Sequence, residues 1–153
     1  MSCPNLGPGG FSAHVLETFD LVGRKDEMKI AALIARILLG LIFVVFGLNG
    51  FLNFIPMGPM PTGTAGQFLG ALAQSHYFQV VAVFQIAGGV LLLINRYVPL
   101  ALLILGPVIV NIILFHLLMA PSGLPLAILV VILWVIVFVR HRESFSGIFV
   151  QRT

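Results

Sequence analysis

IAALIARILLGLIFVVFGLNGFLNFI (Ile30–Ile55) contains a single charged residue, Arg36. A helix of this length, at ~1.5 Å per residue, outspans the ~30 Å hydrocarbon core of a bilayer. In lipid each helix satisfies its own backbone hydrogen bonds, whereas barrel strands are shorter and alternate in polarity. The stretch therefore reads as a first transmembrane helix, and three similar stretches follow at about 78–94, 98–118 and 124–139. Pro56, Pro59 and Pro61, with Gly58 and Gly63, end the first span. Thr64 to Gln74 reads as a short interfacial helix with Phe68, Leu69 and Leu72 on one side and Thr64 as its cap. Asn95-Arg96-Tyr97 makes a tight turn between the second and third spans. Pro99 falls in a first turn, where a missing N–H costs little. Pro107 is interior and is expected to kink its helix and free the carbonyl of Leu103. The expected fold is all-α: an integral membrane four-helix bundle with a short interfacial helix between spans one and two.

Composition agrees. The chain has 153 residues, 59% hydrophobic and 8% charged, with a mean hydropathy of +1.12, against roughly 25% charged residues in soluble domains. From Ile37 to Val139 the only Asp, Glu, Lys or Arg is Arg96. The +3 net charge offers no basic face for phosphates, which argues against a nucleic-acid partner. The bases act instead as topology signals. Arg24, Lys25 and Lys29 precede span one, Arg96 lies between spans two and three, and Arg140 and Arg142 follow span four. The loops 56–77 and 119–123 carry no Lys or Arg. The positive-inside rule then places both termini in the cytoplasm of a multi-pass protein of a bacterial-type inner or plasma membrane. The membrane domain is expected over 29–145, after a polar segment 1–28 and before a tail 146–153. Within the first segment Phe11, Val15, Phe19 and Val22 share a helical face, so it reads either as a short amphipathic helix on the membrane or as a solvated tail. A single cysteine, Cys3, excludes an intramolecular disulfide and a CxxC pair.

Polar side chains inside apolar spans are the informative ones, because hydrocarbon offers them no partners. Asn49 and Asn53 sit one turn apart on span one, His76 stands at the entry to span two, Gln85 lies inside it, and Asn111 and His116 are on span three. Helical rise places this cluster mainly in the outer half of the bilayer. Two readings compete. The groups hold the helices together by hydrogen bonds across them, or they line a pocket for an amphipathic ligand such as a quinone, whose carbonyls need donors. Asn111 and His116 are five residues apart, about 140° around a helix, which argues against one shared pocket. On the inner side, Arg36 and Arg96 are candidates for lipid-headgroup contact, with snorkelling as the simpler role for Arg36. His14, His76, His116 and His141 lack metal-site spacing, so no metal is expected. There is no membrane carboxylate relay, nucleophile–base pair or phosphate loop, and hence no self-contained catalytic motif and no evident intrinsic cofactor.

RILLGLIFVVFGLNGFLNFIPMGPMP (Arg36–Pro61) and GGVLLLINRYVPLALLILGPVIVNIILFHLLMAPSGLP (Gly88–Pro125) resemble the DoxX-like family of small four-helix membrane proteins. The resemblance covers roughly residues 30–145. It implies a four-helix bundle with both ends cytoplasmic. It also implies a link to membrane redox complexes, since the family is named for a small subunit of a thiosulfate:quinone oxidoreductase. By position the family pattern falls on Asn49, Gly50, Pro56, Gly89, Arg96, Pro99, Asn111 and His116. Some relatives use cysteines, and the spans here have none. The leading expectation is a quinone-linked subunit working with other membrane subunits or as a homo-oligomer. The alternatives are a non-catalytic accessory subunit docking through span four and, third, a small transporter or channel.

Overall fold

The computed structural model describes the backbone of residues 8–148 apart from 57 and 59, and side chains from residue 26 to residue 146 apart from the same two. The helices are α1 (Pro8–Leu52), α2 (Gly63–Gln74), α3 (Tyr77–Leu93), α4 (Val98–Leu118) and α5 (Leu124–His141). Short 3-10 turns cover Pro121–Gly123 and Arg142–Ile148. No strand occurs among the described residues.

Three stretches are long and apolar enough to cross a membrane: Asp26–Leu52, Val98–Leu118 and Pro121–Ser146. A fourth arises if α2 and α3, bent by 81° at their junction, are counted together. α3 alone has 17 residues, about 25 Å of helix.

The helix ends follow from local chemistry. α1 stops at Leu52 rather than at Ile55, because Asn53 turns left-handed (φ 49°); asparagine tolerates that region better than most residues. At its other end α1 runs unbroken from Pro8, so residues 8–28 are neither a separate short helix nor a tail. Gly23 is the one glycine between Phe11 and Met28, and its cost of about 1 kcal/mol is too little to break the helix. The side chains of Phe11, Val15, Phe19 and Val22, the stop at Pro59, and residues 1–7 and 149–153 lie outside the described residues. Thr62, not Thr64, occupies the N-cap of α2, and no side chain caps it. The α3–α4 link turns on Asn95 and Tyr97, both left-handed. Pro107 sits inside α4, which continues through it.

α1 packs on α3 and α5, and α4 packs on the same two helices from the other side. The α1–α3 contact is backbone on backbone. A Cβ on Gly89 would lie 2.8 Å from the carbonyl oxygen of Gly40, and one on Gly40 would lie 3.0 Å from that of Gly89. Leu39, Phe43, Leu92, Leu102, Leu105 and Val137 are fully buried between the helices. α5 turns Ala127, Val130, Leu133 and Val137 inward at helical spacing and leaves Ile128, Leu129, Ile132 and Val135 outside. Trp134 Nε1 donates to the carbonyl of Leu102, 3.2 Å away, tying α5 to α4. The outward faces of all four long helices are apolar, as hydrocarbon surroundings require and water does not tolerate over so large an area.

Candidate ligand cavity

A cavity of about 500 Å³ opens between α2, α3 and α4, within the range of small-molecule sites. Its wall is mostly apolar and aromatic: Phe68 and Leu72 from α2, Phe78 and Phe84 from α3, and Ile112 and Phe115 from α4. Phe68 stacks on Phe115 with ring centroids 5.8 Å apart, closing the α2 side. The polar groups on the wall are few, namely Tyr77, Gln85, Asn111 and His116.

Asn111 and His116 therefore face one cavity despite their 140° separation on a regular helix. The cavity follows α4 from Leu103 to His116, so it meets different faces of the helix at different heights. Each side chain is held. Asn111 Nδ2 donates one hydrogen to the carbonyl of Pro107 at 2.9 Å, leaving the amide oxygen as an acceptor and the second N–H as a donor. His116 Nδ1 lies 2.9 Å from the carbonyl oxygen of Ala120. A carbonyl only accepts, so Nδ1 carries the hydrogen, and in the neutral ring Nε2 is then an acceptor. The ring rests on Gly123, where any Cβ would overlap it. Pro107 has no N–H for the carbonyl of Leu103, and both residues lie on the cavity wall. On α4, then, the wall offers mainly acceptors.

The other three residues of the expected cluster do not line this cavity. Asn49 is buried, and its Oδ1 accepts from the backbone N–H of Ile55 at 2.7 Å while Nδ2 approaches the carbonyl of the same residue at 3.5 Å. It closes the chain reversal after α1. Asn53 and His76 are exposed and left-handed, and both serve as turn residues. Gln79 has a buried carbonyl oxygen with no hydrogen-bond partner.

The two candidate arginines also differ. Arg36 is only 8% exposed and donates through Nη1 to the carbonyl of Leu92 at the end of α3, so it caps a helix terminus instead of snorkelling outward. Arg96 is exposed on the α3–α4 turn. No cluster of three or more metal-ligating residues occurs among the described residues.

The stacking of Phe68 on Phe115 and the acceptor geometry of His116 do not follow from the sequence. Phe68 and Phe115 are 47 positions apart in the chain, and the Ala120 contact depends on how the turn after α4 folds.

The family model described as DoxX matches residues 31–118, which take in every wall residue of the cavity. No curated protein and no solved structure matches the chain.

Proposed function

The chain belongs to the DoxX family, and from that membership we propose that it is a four-span, quinone-linked subunit of a membrane oxidoreductase. In this reading α1, α3, α4 and α5 are the spans, α2 lies at the outer interface, and both termini face the cytoplasm. The cavity between α2, α3 and α4 then sits in the outer half of the membrane. The ring of a quinone-type ligand packs among Phe68, Phe84 and Phe115. Electrons of the quinol–quinone couple pass to or from a partner subunit.

The observation that carries the reading is the fixed imidazole of His116 beside an apolar cavity. It also sharpens the ligand. With Nδ1–H committed to Ala120, Nε2 receives a hydrogen bond rather than giving one. A hydroxyl-bearing ring, the reduced hydroquinone, satisfies it, and the bare carbonyl of the oxidised form does not. Asn111 Oδ1 asks for the same kind of partner.

The test is equilibrium binding of a short-chain hydroquinone and of its quinone to the detergent-purified protein. The hydroquinone is expected to bind more tightly. His116→Leu removes one hydrogen bond worth about 1 kcal/mol, roughly fivefold in Kd, from the hydroquinone alone. Gly123→Ala is expected to do the same by pushing the ring off its seat. Equal affinities for the two forms, unchanged in His116→Leu, would overturn the reading.

A further inference from the structure

A second cavity, of about 440 Å³, lies at the opposite end of the helices and is lined by Lys29, Arg36, Asn95, Arg140, His141 and Glu143 among others. It gathers the start of the apolar part of α1, the end of α3 and the end of α5. Three of the five Lys and Arg residues whose side chains are described, Lys29, Arg36 and Arg140, meet here.

Arg36 forms its base. The residue is only 8% exposed, and the hydrogen bond of its guanidinium goes to a neutral carbonyl, that of Leu92. A guanidinium has five N–H donors, and a carbonyl of the backbone takes up one without balancing the charge. Burying a cation without a counter-charge is costly. Among the described residues no carboxylate forms an ion pair with Arg36; the one ion pair there joins Lys29 to Asp26 at 2.8 Å on the exposed rim. Arg140 stands on the rim from α5. Among the described residues Glu143 is the one acid on the cavity wall. Counting Asp26, which pairs with Lys29, the described residues here set two acids against three cations, a positive surplus. The Nδ1 of His141 is occupied by the carbonyl of Val137, 3.0 Å away.

We propose that this cavity is an oxyanion site that takes a phosphate group, carried either by an anionic lipid headgroup or by free phosphate. The anion supplies the counter-charge that Arg36 lacks. Arg140 and Lys29 close over it from the rim, and the amide of Asn95 adds a neutral donor. The proposal is independent of the quinone reading, since it uses the other end of the helices and none of the same residues.

The experiment uses the full chain purified in neutral detergent. Native mass spectrometry follows the addition of phosphatidylglycerol, and calorimetry follows inorganic phosphate. The expected result is one bound equivalent of at least one probe. Binding of free phosphate by itself marks a soluble oxyanion as the occupant, and binding of phosphatidylglycerol alone marks a lipid headgroup. Arg140→Gln lies on the exposed rim and leaves the fold intact; it should weaken binding roughly fivefold. Glu143→Gln removes a repulsive charge and should tighten it. Arg36→Gln should abolish it, with Arg36→Lys restoring part. Retention of neither probe, or affinities unmoved in both Arg140→Gln and Glu143→Gln, overturns the proposal. So does equal retention of an uncharged diacylglycerol.

Discussion

Asn49 and His116 look alike in the sequence, as polar residues inside apolar helices, and do different things in the structure. The amide of Asn49 is spent on the backbone of Ile55, whereas His116 commits one ring nitrogen to Ala120 and keeps the other. Their variants should therefore separate. Asn49→Leu strands the N–H of Ile55 near the helix end and is expected to cost about 1–3 kcal/mol of stability, read as a lowered unfolding midpoint in detergent with hydroquinone affinity of the surviving folded fraction unchanged. His116→Leu should show the converse. A polar residue in an apolar run is legible from sequence. Whether it is used up locally is not, because that depends on where the chain goes in the next few residues.

At the scale of helices, the glycines of α1 and α3 decide how near these two elements come. Gly40 and Gly89 place backbone against backbone, and such approach is a main source of helix association where lipid removes the hydrophobic drive. Gly89→Val cannot be absorbed by rotamer changes, since its Cβ meets the Gly40 carbonyl. It is expected to destabilise the protein by about 1–3 kcal/mol. Thermal unfolding of the purified variant, with a matched substitution at Gly70, where an added Cβ would meet nothing within 4 Å, as the control, measures this. Gly40, Gly47 and Gly50 stand at helical spacing on one face of α1; the spacing does not say which residue each one meets. The separation of Asn111 and His116 misled for a related reason. An angular argument on one helix assumes that a pocket is a line parallel to the axis, whereas this cavity climbs along α4 against α2 and α3.

For the molecule as a whole, the two ends are chemically opposite. One carries the aromatic cavity and the other gathers Lys29, Arg36 and Arg140. The proposed topology puts the basic end in the cytoplasm. With Cys3 replaced by serine, single cysteines introduced at Ser144 and at Ser75 should react with a membrane-impermeant maleimide from opposite sides of sealed vesicles, Ser75 from outside and Ser144 only after permeabilisation. Labelling of both from one side would contradict four spans.

The sequence by itself determined that apolar helices would form and roughly which stretches separate them, because span length, hydropathy and the placement of Pro, Gly and charge are properties of short stretches. It also marked the polar residues and the family. Only the tertiary structure decided which of those residues share a cavity, that Asn49 caps its own chain, that α1 reaches back to Pro8, and that Arg36 is buried at the end of α3. Each of these depends on contacts between segments distant in the chain or on a competition between helix continuation and a local break. Side-chain polarity alone does not encode the outcome.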